Sequence, residues 1–125
     1  MYKRILVPID GSDTAEAGLR EACKLAREQK GTQLRVVHVV DEFLTTMPEL
    51  YGIAYDAITD SVRNAGASIL RHAESYAREQ GVTLETQLIE AMGTPAGELV
   101  ITAAKTWQAN LIVCGTHGRR DYDAS

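Results

Sequence analysis

Four short apolar runs separated by amphipathic helical periods predict an α/β fold, an open parallel sheet with strand order 3-2-1-4. The alternation itself is the first observation, because strands joined through helices form parallel pairs by right-handed crossovers. The composition of the strands is the second: the runs are apolar on successive residues, as a sheet covered on both faces requires. The third is a gradient. The first run is the most uniformly apolar and the third the most polar, so the first belongs in the middle and the third at an edge.

Ile5-Leu6-Val7-Pro8-Ile9 reads as the first buried strand. Pro8 has no N–H and costs the strand one ladder bond near its end. Asp10-Gly11-Ser12 makes the turn. Asp13 is then the expected N-cap of a helix, with Glu16 at capping-box spacing. Ala15, Leu19, Ala22 and Ala26 share one face of that helix, and Gly31 stops it. Leu34 to Val40 is the second strand, and Asp41 to Tyr55 is irregular, holding Pro48 and Gly52. Asp56 to Gln80 reads as a long helix with Ile58, Val62, Ala65, Ile69, Ala73 and Tyr76 as its inner stripe. Thr83 to Ile89 is the third strand. Thr94 and Pro95 suit the N-cap and first turn of a helix whose inner face is Leu99, Val100, Ala103 and Trp107. Leu111 to Cys114 is the fourth strand.

The 125 residues fit one domain, spanning 1–125, large enough for a core without staples. The charged fraction is 24% and the net charge −4, with the 13 basic residues spread along the chain in no run longer than a pair such as Arg119-Arg120. Nucleic acid and anionic membranes want clustered Lys and Arg, so neither is an expected partner. The two cysteines, Cys23 and Cys114, form no CxxC pair and have no ligand spacing with His38, His72 or His117. No metal site is expected, and free thiols suit a reducing, cytoplasmic location. No run approaches a signal peptide or a membrane span.

Two turns that leave apolar strands could carry chemistry: Pro8-Ile9-Asp10-Gly11-Ser12 and Gly115-Thr116-His117-Gly118-Arg119. The second brackets a turn with glycines, which admit positive φ and close approach of a ligand. Its N–H groups, the Thr116 hydroxyl and the Arg119 charge together suit a phosphate. The first sets a carboxylate at a strand C-terminus, where acidic residues hydrogen-bond ribose in dinucleotide folds. Taken alone, each turn also reads as a plain strand exit, with Asp10 or Ser12 capping the first helix.

Four blocks together resemble the universal stress protein family. They are Lys3 to Ser12, His38-Val39-Val40-Asp41, Gly93-Thr94-Pro95-Ala96 and Leu111 to Arg120, spread over residues 3 to 120 in the family's order and spacing. The resemblance implies a Rossmann-like fold of the adenine nucleotide alpha hydrolase type, with strand order 3-2-1-4-5, dimerisation, and binding of ATP or AMP, with Mg²⁺ accompanying ATP. It implies that Asp10 contacts ribose or base with Pro8, Ile9 and Ser12 beside it, and that Val39 recognises adenine through its backbone. Gly115 and Gly118 match the first two glycines of the family's phosphate loop, with Thr116, His117 and Arg119 around them. The third glycine would fall beyond Ser125, and residues 121–125 do not resemble the family's continuation. The domain is therefore expected to be C-terminally incomplete, lacking the last helix and strand 5, which leaves strand 4 as an edge and residues 119–125 without helix or strand. A homodimer is expected where the C-terminal strand is present.

The function expected on this basis is a regulatory adenine-nucleotide-binding module of the stress response. Its rivals are a slow ATP hydrolase or self-phosphorylating protein, and an interaction module that keeps only the fold. No Walker lysine and no base poised over a water support strong catalysis, so no catalytic residue is named. Cys114, His38 and His72 read as structural. Met47, Tyr51 and Tyr55 suit either a lid or loop packing.

Overall fold

The computed structural model describes residues 2–40, 55–91, 93–115 and 120–122, with residues 55–56 and 120–122 described by backbone alone. The elements are β1 (Arg4–Pro8), α1 (Asp13–Glu28), β2 (Gln33–Val40), α2 (Tyr55–Glu79), β3 (Leu84–Glu90), α3 (Ala96–Trp107), β4 (Leu111–Cys114) and β5 (Arg120–Tyr122). They form one sheet in the order β3-β2-β1-β4-β5. The first four strands are parallel throughout, in the predicted order.

β1 is central because it can be buried on both faces: Ile5, Leu6 and Val7 are inaccessible to solvent. Successive residues point to opposite faces. Ile5, Val7, Leu34, Val36, Leu111 and Val113 pack with α1 and α2 against one face. Leu6, Val37 and Ile112 pack with Ala103, Ala104 and Trp107 of α3 against the other. The polar third strand sits at the edge, with Leu84 its one buried side chain.

Three expectations shift. The N-cap of α1 is Ser12, as the plain strand-exit reading of the turn allowed, and not Asp13: the Ser12 hydroxyl accepts from the Ala15 N–H at 3.1 Å, and Asp13 joins the first turn, where its charge favours the helix dipole. The N-cap of α3 is Pro95, without a side-chain cap bond, so Thr94 lies outside the helix. The inner face of α2 is rotated from the predicted stripe. Thr59, Gly66, Leu70, Ala73 and Ala77 are buried, whereas Ala65 is exposed and Ile58, Val62, Ile69 and Tyr76 are half-buried. The reason is Gly66, whose missing side chain lets α2 close on the sheet. A Cβ there would stand 2.8 Å from His38 Cδ2.

The larger correction is at β4. Residues 120–122 do form a strand, pairing antiparallel with β4 at Cys114↔Arg120, Val113↔Asp121 and Ile112↔Tyr122. An apolar strand with unpaired N–H and C=O groups gains most from any partner. A chain that returns after a few residues, with no crossover helix, can pair only antiparallel.

Asn110 closes the other end of the sheet. Its Oδ1 accepts from the N–H groups of both Lys3 and Arg4, at 2.9 and 2.8 Å.

Candidate functional site

The C-terminal ends of β1, β2 and β4 meet at one cleft of about 250 Å³. Pro8, Val37 and Val39 form an apolar wall, Ala96 and Val100 of α3 face the same space, and Asp10, Ser12 and Gly115 bring polar groups to it. Parallel sheets bind ligands at such strand ends because the loops diverge there and leave a crevice.

The exit of β1 is fixed by several hydrogen bonds. Pro8 donates nothing, but the Ile9 N–H resumes the ladder by bonding the Val37 carbonyl at 2.9 Å. The Ile9 carbonyl accepts from Nδ1 of buried His38 at 2.8 Å. A carbonyl only accepts, so Nδ1 carries the proton. The chain then turns through Gly11, whose φ of +86° disfavours residues with a side chain. Asp10 Oδ1 accepts from the Ser12 N–H at 2.9 Å, so the carboxylate is oriented by the turn it opens. The Ser12 hydroxyl and then its backbone N–H hold the Asp10 carboxyl below the usual carboxylate range, against a smaller opposing effect of burial. Asp10 is exposed, ionised at neutral pH, and able to accept further hydrogen bonds.

Gly115 brings β4 against the start of α1. A Cβ on Gly115 would lie 1.5 Å from the Thr14 carbonyl oxygen, and one on Gly18 would lie 2.7 Å from the Gly115 N. Two glycines therefore set the distance between the strand exit and the helix, and so the width of the cleft.

Of the residues singled out from the sequence, Pro8, Ile9, Asp10, Ser12, Val39 and Gly115 converge on this cleft. Thr116, His117, Gly118 and Arg119 lie outside the described residues, as do Met47, Tyr51 and the Tyr55 side chain. The sequence reading missed Ala96 and Val100, which stand one helical turn apart on the side of α3 that faces the strand ends. His38, a packing residue by sequence, holds the residue preceding Asp10. Cys114 lines the cleft as well, and burial raises its thiol pKa, as expected of a packed thiol rather than a nucleophile.

A second groove of about 340 Å³ lies between α1 and α2, across the β1–α1 turn, with Ile9, Ser12 and Ala15 common to both. Its polar groups include exposed His72 and half-buried Glu16, 3.9 Å apart. It is the larger space and is lined by Gly11, but it lacks the Asp10 carboxylate and the Gly115 exit of β4 that give the smaller cleft its chemistry. Among the described residues no three His, Cys, Asp or Glu side chains group as metal ligands, and no helix is long and apolar enough to cross a membrane.

The sequence model of the universal stress protein family matches residues 1–124. The chain belongs to the universal stress protein family. Among its relatives is the universal stress protein YxiE of Bacillus subtilis, 40% identical over 124 residues, covering 94% of this chain and 81% of that protein. The crystal structure of a universal stress protein family member from Burkholderia pseudomallei superposes with a TM-score of 0.78 at 34% identity, covering 94% of this chain and 83% of that one. A more distant universal stress protein, crystallised in complex with cAMP, shares the fold at a TM-score of 0.64 and 22% identity, covering 89% of this chain and 74% of that one. Membership of this family supports a role in the stress response.

Proposed function

We propose that this universal stress protein is a regulatory adenine-nucleotide-binding module that takes ATP or AMP in the cleft at the ends of β1, β2 and β4. The observation that carries the reading is Asp10: an ionised carboxylate, pre-oriented by the Ser12 N–H at 2.9 Å, beside an apolar slot walled by Pro8, Val37 and Val39. A planar base gains from burial in such a slot, and ribose hydroxyls donate to a carboxylate whose orientation is already set. The residues fit the group in size as well: about 250 Å³ is near the lower end of small-ligand pockets, enough for a nucleoside with its phosphates leading out past Gly115. The phosphates would then reach Thr116, His117, Gly118 and Arg119. Mg²⁺ would arrive as the counter-ion of ATP, held chiefly by phosphate oxygens. The cAMP complex of a relative with the same fold supports the same ligand class. A homodimer and a cytoplasmic location complete the proposal on family resemblance.

Calorimetric titration with ATP and AMP tests it. Asp10→Ala should weaken binding by about 1.5–3 kcal/mol, the worth of a hydrogen bond to a charged group. The fold should survive, because Asp10 sits in an exposed turn. Equal affinity in variant and parent rejects Asp10 as the contact, and no binding by the parent rejects the nucleotide.

A further inference from the structure

We propose that the opposite end of the sheet, where the strands begin, is a docking groove for an extended acidic segment of a partner protein. Two adjoining clefts there, of about 330 and 480 Å³, share Arg4, Thr32 and Gln33, so one groove runs across the starts of β1 and β2 to Trp107. Four cations line it, Lys3, Arg4, Lys30 and Arg35, against the single carboxylate of Glu85. The chain as a whole carries −4, so this excess is local and opposite in sign to the molecule.

The cations stand on a rigid frame. The Lys3 and Arg4 N–H groups are held by Asn110, and the Tyr2 N–H is held by Gln29 Oε1 at 2.9 Å. Arg4 donates from Nε to Gln33 Oε1 at 3.1 Å and from Nη1 to the Trp107 carbonyl at 2.5 Å. Those two bonds orient the guanidinium and leave Nη2 without a hydrogen bond among the described residues. Arg35 lies with its guanidinium carbon 4.7 Å from the centre of the Trp107 ring and reaches Glu85 at 3.3 Å, so a carboxylate already fits this groove. Lys3 and Lys30 are exposed and have no ion-pair partner among the described residues.

The arrangement favours a chain over a single small anion. Arg4 pairs in register with Gln33, and Arg35 stands two residues further along β2, opposite Leu6. Lys3 and Lys30 line only the first cleft, Arg35 only the second, and Arg4 both, with the Arg4 and Arg35 guanidinium carbons 5.6 and 4.7 Å from the Trp107 ring centre, so the cations follow one another along the groove. A lone phosphate wants its donors converging on one point, whereas these are strung along a groove floored by Leu34, Leu84 and Trp107. Capping the C-terminal carbonyl of α3 accounts for Arg4. It does not account for Lys3, Lys30 or Arg35.

Trp107 is the only tryptophan in the chain and lines the groove, so its fluorescence reports occupancy directly. The experiment titrates the full chain with an oligoglutamate peptide and, separately, with inorganic phosphate. The variants are Lys3→Glu/Lys30→Glu, the milder Lys30→Gln, and the control Lys24→Glu/Arg71→Glu. All four positions are exposed, and the control pair lies on α1 and α2 away from the groove. The peptide should give a saturable change, weakened by about tenfold in the double groove variant, less in Lys30→Gln, and little in the control. Added salt should weaken it further. The proposal is overturned by a change that does not saturate or by equal loss in groove and control variants. It is also overturned by inorganic phosphate saturating the signal at lower concentration than the peptide, which would mark a small-anion site.

Discussion

His38 donates its Nδ1 proton to the carbonyl of Ile9 at 2.8 Å, so the second strand holds the exit of the first immediately before Asp10. The ring is wedged by Gly66 of α2, where a Cβ would come within 2.8 Å of it. Asparagine places a donor where Nδ1 stands, and leucine does not. His38→Leu should cost about 1–3 kcal/mol in urea unfolding, because a buried carbonyl loses its partner. His38→Asn should recover part of that loss and should bind AMP more tightly than His38→Leu. Equal stability in the two variants would show that ring packing alone matters.

The glycines around the cleft differ sharply in what they tolerate. Gly115→Ala must move backbone, since its Cβ would lie 1.5 Å from the Thr14 oxygen, and Gly18→Ala faces a 2.7 Å contact with the Gly115 N. Each should destabilise by at least about 1–3 kcal/mol, with Gly115→Ala the worse. A methyl group on Gly97 in α3 would meet nothing within 4 Å, so Gly97→Ala should be neutral or stabilising by up to about 1 kcal/mol. Thermal unfolding of the three variants checks the order.

Asp10 makes a definite contribution to acid sensitivity. Its folded carboxyl ionises below the ordinary value of 3.8 because Ser12 hydrogen-bonds the charged form. A depressed folded pKa stabilises fully above the unfolded value and loses that contribution as pH falls through the folded one. The stability gap between parent and Asp10→Asn should therefore be widest above about pH 4 and shrink at more acid pH. Urea unfolding across pH 2 to 7 measures it, and a gap that widens on acidification reverses the sign and refutes the assignment.

The two thiols offer an independent probe of the cleft. Burial pushes the Cys23 thiol up to about 11, although nearby Arg27 opposes it, and only 1% of the residue is exposed. Cys114 is also raised by burial, but it is half-buried and lines the cleft. Iodoacetamide at mildly alkaline pH should modify Cys114 faster than Cys23, and AMP should slow Cys114 alone. Mass spectrometry reads both rates, and AMP protection of neither thiol would count against occupancy of this cleft.

The strand order was legible because burial on two faces leaves a composition that few other structures share, as Ile5 to Val7 and Leu111 to Val113 illustrate. Helix starts slipped by one residue, since Ser12 and Asp13 are both good caps and only the geometry of the turn chooses between them. The inner face of α2 was misread because Gly66 and Ala77 carry little apolar weight in a sequence, yet they are what close packing selects. β5 left no trace in Arg120-Asp121-Tyr122, which gains its structure from the partner edge and not from its own propensity. At the cleft, Pro8 to Ser12 and Gly115 were legible from the turns that leave β1 and β4, and Val39 only from the family resemblance. Ala96 and Val100 were not, because periodicity reports a buried helix face without saying what covers it. The His38–Ile9 bond joins residues 29 apart, and the gathering of Lys3, Arg4, Lys30 and Arg35 likewise exists only once the sheet has formed.

The central strand has consequences for the order in which the molecule assembles. Ile5 of β1 pairs with Leu111 of β4, and the Arg4 N–H bonds Asn110 across 106 residues of sequence. Until synthesis has passed Leu111, β1 has a neighbour on one side only, and half of its hydrogen-bonding edge is open. Contacts this distant in sequence slow folding, because the entropy of closing the loop is lost before the pairing repays it. The pairing of β1 with β4 thus completes both the core and the cleft, and a nascent chain stalled before β4 would present its most apolar strand to whatever lies nearby.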